Sequence, residues 1–139
     1  MTQYQGSAHV YGNYVYPARF AEALDEISAA KNVLADIDKD FSSRVKPGDI
    51  LVAGEHFGGV NTLNAAEALM TAGIVAVLAK SFEPAFVTNA ARAGLPLFIV
   101  GDHRTEMEDP VTVDTERGVL VNDITGHEAL ITPVSTGLE

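Results

Sequence analysis

The chain has 139 residues, of which 47% are hydrophobic and 20% charged, and its formal net charge at pH 7 is −10. This length and composition suit one globular domain, 1–139, while the acidic excess makes nucleic acid and anionic membranes poor partners. The absence of cysteine excludes disulfides, thiol nucleophiles and a cysteine-ligated cluster on this chain.

The first third of the chain predicts one strand and two helices. Weak alternation of apolar residues over 6–12 indicates a short strand. Apolar residues at a helical period predict a helix over 21–34, and residues 36–45 predict a second, shorter helix. Pro47 and Gly48 then mark a turn before the next strand.

The middle of the chain predicts alternating strands and helices. Three continuously apolar runs have the character of strands buried on both faces. They cover residues 50–53, 75–79 and 97–100. Helices are predicted over 64–71 and 84–93, and Gly73 and Gly94 follow them, where a helix end favours left-handed backbone. This order predicts parallel pairing with right-handed crossovers.

The C-terminal part of the chain predicts antiparallel hairpins. Short strands are expected at residues 111–114, 118–122 and 128–132. Each pair of neighbours is joined by a turn that contains glycine. The fold class is therefore α/β, with a parallel strand core and an antiparallel C-terminal extension.

A glycine-rich turn joins the second strand to the following helix. Residues 52–66 read VAGEHFGGVNTLNAA, so Gly58 and Gly59 lie between an apolar strand and an alanine-rich helix. Free backbone N–H groups and the helix dipole at such a turn stabilise a carboxylate or phosphate. The alternative is a tight connection whose helix is capped by a nearby Asn or Thr side chain. The pattern is neither a Walker loop nor G-x-G-x-x-G, so it gives little support to nucleotide binding.

Several polar side chains lie near this turn or near equivalent strand ends. Glu55 and His56 at the lip of the turn form a candidate acid–base pair, the alternative being a hydrogen-bonded pair without catalytic role. Lys80 and Ser81 follow the next buried strand, and ligands of parallel sheets collect outside these ends. Arg19, just before the first predicted helix, is another cation for an anionic substrate.

No metal site is predicted on this chain. The histidines, His9, His56, His103 and His127, are far apart and lack metal-ligand spacing. The acidic residues within 102–109 are expected to form a solvated loop, because their spacing does not match a metal-binding loop.

Six segments of the chain match the pattern of a known family: 45–50 (VKPGDI), 52–58 (VAGEHFG), 72–82 (AGIVAVLAKSF), 89–90 (NA), 94–96 (GLP) and 111–126 (VTVDTERGVLVNDITG). They resemble the small subunit of 3-isopropylmalate dehydratase, the swivelling domain of the aconitase superfamily. They follow the family's order over nearly the whole chain. The resemblance implies the aconitase-type swivelling fold.

The resemblance also implies partners and a reaction. In that family a separate large subunit carries a [4Fe-4S] cluster, and the small subunit closes over it and supplies substrate-binding groups. The reaction dehydrates and rehydrates a hydroxy acid, with the cluster as Lewis acid. For this chain it implies no cofactor of its own, a large iron–sulfur subunit as partner and a small hydroxy acid as substrate. A homo-oligomer in isolation is an open alternative. The first ten residues lack the basic and apolar regions of a secretion signal, so we expect a cytoplasmic protein.

In two places the chain departs from the family pattern. Residues 59–66 read GVNTLNAA where the family usually reads CGSSREHA. Asn61 therefore occupies the position of the serine that is proposed as catalytic base in the family. Thr62 keeps a hydroxyl group at the position of the second serine. Leu63 replaces the arginine that binds a substrate carboxylate. Residues 13–16, NYVY, replace a longer segment that usually has an Asn-Thr-Asp core.

Two functions follow from the resemblance and its departures. The favoured one is a small subunit of a heteromeric hydro-lyase whose substrate is altered, since the replacement residues of the turn are mostly small or polar. The other is a non-catalytic binding or regulatory module that kept the fold. For the first, the catalytic candidates are Asn61, Thr62 and His56, and the substrate-binding candidates are Gly58, Gly59, Asn61, Thr62, Arg19 and Lys80. An unrelated anion-binding enzyme of the α/β class explains fewer residues.

Overall fold

Seven strands of the described part of the chain close into a barrel in the order β1-β2-β3-β4-β7-β6-β5. The computed structural model describes residues 3–15, 38, 40–58 and 65–134. The strands are β1 Gln3–Val10, β2 Asp49–Val52, β3 Ile74–Ala79, β4 Leu97–Val100, β5 Pro110–Asp114, β6 Val119–Asn122 and β7 Glu128–Pro133. Three helices accompany them, α1 Phe41–Arg44, α2 Ala65–Ala72 and α3 Pro84–Ala93. Among these helices none is both long and apolar enough to cross a membrane.

The predicted parallel half is confirmed. β1, β2, β3 and β4 pair in sequence order, all parallel, and α2 and α3 lie in the crossovers. The backbone at Gly94 is left-handed, with φ 85° and ψ 21°, and Gly73 also has a positive φ of 122°. Both glycines therefore end their helices as the sequence predicts. The helix predicted over 21–34 lies outside the described residues.

The predicted antiparallel hairpins are also confirmed, and their strands close the barrel. β5 pairs with β6, β6 with β7, and β7 with β4, all antiparallel. β5 then pairs with the first half of β1, from Gln3 opposite Asp114 to Ser7 opposite Pro110. The second half of β1, from Ala8, pairs with β2 instead, so β1 changes partner midway and closes the barrel.

Two apolar cores follow from the alternation of side chains along the strands. The barrel interior is filled by Ala8, Ile50, Val52, Ala76, Leu78, Phe98, Val100, Val111, Val113, Leu120, Ala129 and Ile131. The intervening side chains Leu51, Val77 and Leu97 face outward and pack with Leu69 of α2 and Phe86 of α3. The described helices α2 and α3 thus cover the parallel side of the barrel.

The second predicted helix, 36–45, is shorter than expected in the described residues, where only the single turn α1 is helical. The carboxylate of Asp38 accepts hydrogen bonds from the Tyr11 hydroxyl (2.7 Å), from the Asp40 backbone N–H (3.1 Å) and from Arg44. Burial alone would raise the pKa of Asp38, but the Tyr11 hydrogen bond and the Arg44 charge hold it below its usual range. Asp38 thus bends the chain into a turn before the helix begins.

Candidate functional site

The C-terminal ends of β2 and β3 lie side by side at one end of the barrel. The Lys80 backbone N–H donates to the Gly54 carbonyl at 3.0 Å, and the Phe57 N–H donates to the Ser81 carbonyl at 3.0 Å. The Glu83 N–H returns to the Phe57 carbonyl at 2.8 Å. Lys80 and Ser81 therefore lie beside the described beginning of the glycine turn. It is the edge where parallel α/β sheets bind ligands.

The backbone here adopts an uncommon conformation at three positions. Tyr14 and His56 have φ values of 58° and 59°, and Gly58 has φ 118°. Hydrogen bonds hold this geometry, because the Tyr14 N–H donates to the Glu55 carbonyl at 2.8 Å and the His56 N–H donates to Ser81 Oγ at 2.8 Å. Non-glycine residues with positive φ cost energy and cluster at functional sites. The strained stretch coincides with the turn that the sequence singles out.

The imidazole of His56 is positioned by two neighbours. Its Nδ1 lies 3.2 Å from Glu83 Oε1, and its ring stacks on Tyr14 with centroids 4.9 Å apart and planes at 15°. Such a contact occupies Nδ1 and leaves Nε2 as the nitrogen for substrate or proton transfer. The side chain is 47% exposed, so it is open to a ligand.

The predicted pairing of Glu55 with His56 is wrong, because the carboxylate at the ring belongs to Glu83. The positive φ of His56 redirects the chain between these two neighbours in sequence. The Glu55 backbone N–H instead donates to Asn13 Oδ1 at 2.8 Å. Glu83 could have been suspected, since it lies just past the end of β3 as His56 lies past β2. Nothing in the spacing indicates Tyr14.

The remaining predicted site residues are divided between described and undescribed parts of the chain. Gly59, Asn61, Thr62 and Arg19 lie outside the described residues. Lys80 is described, and its Nζ lies 3.8 Å from Asp102 Oδ1, with both side chains substantially exposed. Lys80 therefore bridges the end of β3 and the loop after β4.

The acidic loop between β4 and β5 is largely solvated, as the sequence predicts. Asp102, Glu106 and Glu108 are exposed. Asp109 is the exception, because its Oδ2 accepts hydrogen bonds from the Glu106 N–H at 2.8 Å and from Asn122 Nδ2 at 3.0 Å. Within the described ranges, no group of three or more His, Cys, Asp or Glu side chains is arranged to hold a metal ion.

Residues 13–100 match the aconitase C-terminal domain family. Curated relatives include a 3-isopropylmalate dehydratase small subunit of Nautilia profundicola, 38% identical over 86% of this chain and 74% of the relative. Another is 3-isopropylmalate dehydratase small subunit 2 of Archaeoglobus fulgidus, 36% identical over 88% of this chain and 75% of the relative. The crystal structure of 3-isopropylmalate dehydratase from Methanocaldococcus jannaschii superposes with a TM-score of 0.87 at 30% identity. That superposition covers 96% of this chain and 84% of the other.

Proposed function

This chain belongs to the aconitase C-terminal domain family, and from that premise we propose that it is the small subunit of a heteromeric hydro-lyase of the 3-isopropylmalate dehydratase type. It acts with a large iron–sulfur subunit in the cytoplasm to dehydrate and rehydrate a small hydroxy acid. The observation that carries the proposal is the extent of the likeness to the Nautilia small subunit, 38% identity over 86% of this chain.

The [4Fe-4S] cluster belongs to the large subunit in this proposal. The chain has no cysteine, and its described residues form no cluster of potential metal ligands, so its own side chains do not suit the cluster. When bound to the large subunit, the cluster supplies a Lewis acid. The small subunit contributes the groups that bind and orient the substrate at the glycine turn.

The roles of this chain's residues follow from their chemistry. The Gly58 backbone N–H already donates to the Val15 carbonyl at 2.8 Å, so we assign the substrate carboxylate to the backbone N–H of Gly59 instead. Asn61 and Thr62 hydrogen-bond the substrate, and His56, held through Nδ1 by Glu83, transfers or holds a proton at Nε2. Support for His56 comes from its strained backbone and its two positioning contacts.

We propose further that the substrate is altered relative to that of the family. Leu63 cannot offer the charge-assisted contact of an arginine, which contributes roughly 1.5–3 kcal/mol. A turn with Asn61, Thr62 and Leu63 is less cationic. It suits a hydroxy acid with one carboxylate fewer, or with an amide or hydroxyl in its place.

Reconstitution with a large subunit tests the proposed function. The chain would be coexpressed with the iron–sulfur large subunit encoded in the same genome, and water loss would be followed with 3-isopropylmalate and a panel of hydroxy monoacids and diacids. We expect a stable complex with cluster-dependent turnover, fastest on a substrate other than 3-isopropylmalate. A stable complex without turnover on any substrate would instead favour the non-catalytic module. Failure to form a complex would contradict the assignment as a subunit.

Substitutions in the reconstituted complex test the site. We expect His56→Gln and Asn61→Ala each to lower kcat by about tenfold, which corresponds to ~1.4 kcal/mol of transition-state stabilisation. Glu83→Gln should have a smaller effect, because Glu83 only positions the ring. Arg92→Gln, which removes an exposed charge in the last turn of α3, is the matched control and should leave kcat unchanged. Normal kcat in both His56→Gln and Asn61→Ala would exclude these two residues from the mechanism.

A further inference from the structure

A cavity of about 460 Å³ opens between the β4–β5 loop and the β6–β7 turn. Its walls include His103, Arg104, Glu106, Asn122 and Thr125. Because β7 runs antiparallel to β4, the β6–β7 turn, which precedes β7, lies beside the C-terminal end of β4. The cavity is therefore at the same end of the barrel as the glycine turn. Its volume is in the range of small-molecule sites.

Hydrogen bonds of Asn122 hold the cavity wall in place. It is only 2% exposed, and its Nδ2 donates to the Arg104 carbonyl at 2.9 Å and to Asp109 Oδ2 at 3.0 Å. Its Oδ1 accepts hydrogen bonds from the backbone N–H groups of Ile124 at 2.9 Å and Thr125 at 3.3 Å. One buried amide thus ties the two loops together, and its hydrogen-bonding capacity is used within the wall.

The groups left free in the wall are complementary to a small hydroxy acid. Arg104 is exposed and forms no ion pair with any residue that the structure describes. His103 is half-buried; its Nδ1 is enclosed by the protein without a hydrogen-bond partner among the described residues, so Nε2 is the ring nitrogen that can meet a ligand. The Thr125 hydroxyl accepts the His127 N–H at 3.2 Å and, among the described residues, donates to no acceptor. Glu106 offers an exposed carboxylate to a hydroxyl group.

Burial and nearby charges favour the neutral form of the His103 ring. Burial and then the Lys80 charge hold the pKa of His103 below its ordinary value, with His127 acting in the same direction and Asp102 against it. The ring is therefore mainly neutral at pH 7. A bound carboxylate would stabilise the protonated ring and raise this pKa.

We propose that this cavity is a binding site for a small hydroxy acid, with Arg104 contacting the carboxylate and His103 and Glu106 contacting the hydroxyl group. The ligand class rests on the proposed function. Binding itself requires only this chain, since the walls come from two of its own loops. Lys80, through its contact with Asp102, links the cavity to the strand ends of the glycine turn.

Histidine NMR of the full chain, without the large subunit, tests this site. The probe is L-lactate, titrated at pH 7 and constant ionic strength, and His103→Gln identifies the His103 ring signal among the four histidines. We expect a saturable shift of that signal and a rise in its pKa. Arg104→Gln should weaken binding at least fivefold, whereas Arg92→Gln, which removes an equal charge from α3, should not. Propionate, which lacks the hydroxyl group, should bind more weakly than lactate.

Three results would overturn the proposal. One is the absence of a saturable His103 shift, and another is unchanged affinity in Arg104→Gln. The third is equal weakening by Arg104→Gln and Arg92→Gln, which would reveal only a response to net charge. Equal affinity for propionate and lactate would remove the hydroxyl contact from the proposal. These outcomes are independent of the reconstitution experiment, because no partner or turnover enters them.

Discussion

Replacing Gly58 with alanine is expected to reduce the free energy of unfolding by about 3 kcal/mol or more. Gly58 has φ 118°, a conformation that an L-residue adopts only with strain. An added Cβ would lie 2.3 Å from Cβ and 2.7 Å from Cγ of Phe86. Phe86 cannot yield, since its ring is fully buried and packs edge-on against Phe57 with centroids 5.1 Å apart. The backbone strain and the steric overlap with Phe86 therefore both contribute to the loss of stability.

Two other glycines separate these contributions. Gly94 has φ 85° with no atom within 4 Å of an added Cβ, so Gly94→Ala should cost only the strain, about 1 kcal/mol. Gly101 has neither a positive φ nor a close neighbour, and Gly101→Ala should be almost neutral. Urea unfolding measures the free energy of unfolding of each of the three variants. If Gly58→Ala costs no more than Gly94→Ala, the close approach of Phe86 to the turn is contradicted.

Asp49→Ala is expected to destabilise the protein by about 3–5 kcal/mol, because it removes the acceptor of a buried network. Asp49 is 5% exposed, and its Oδ2 lies 2.8 Å from Nε2 of His9, which is fully buried. The same carboxylate accepts the backbone N–H groups of Lys46 at 2.9 Å and Ser7 at 3.2 Å. Alanine would leave these buried or partly buried donors without a partner.

The matched control removes a carboxylate from an exposed ion pair. Glu128 Oε2 lies 2.6 Å from Arg117 Nη2, and both side chains are exposed to solvent. Glu128→Ala should therefore change the free energy of unfolding by less than ~1 kcal/mol. Thermal unfolding followed by circular dichroism compares the two variants. Equal losses of stability in Asp49→Ala and Glu128→Ala would mean that the Asp49 network stabilises the fold no more than a surface ion pair does.

The hairpin turns show what local sequence can predict. Asp114 Oδ1 accepts the N–H groups of the residues two and three positions later, and Asn122 Oδ1 does the same in the next turn. Gly118 and Gly126 close the two turns with φ 68° and 78°. All of this chemistry lies within five consecutive residues, so an Asx residue followed by glycine is enough to predict it.

The features that sequence did not predict depend on distant residues. Barrel closure requires β5 to pair with β1, and no local pattern encodes that partner. His56 contacts Glu83, which is distant in sequence and approaches only because β2 and β3 are neighbours. The cavity wall likewise contains a non-local contact, the hydrogen bond from Asn122 to the Arg104 carbonyl. Asn61 and Thr62 come from the family pattern alone, and their roles stay predictions.

The change of partner midway along β1 has a consequence for how the chain folds. Its second half can join β2 early, but its first half must wait for β5, and the contact of Gln3 with Asp114 spans 111 positions. Closing so long a loop carries a large entropic cost before any pairing is gained. During synthesis the parallel half can therefore assemble as an open sheet with an unpaired edge at residues 3–7. We therefore expect the ladder between β1 and β5 to form last.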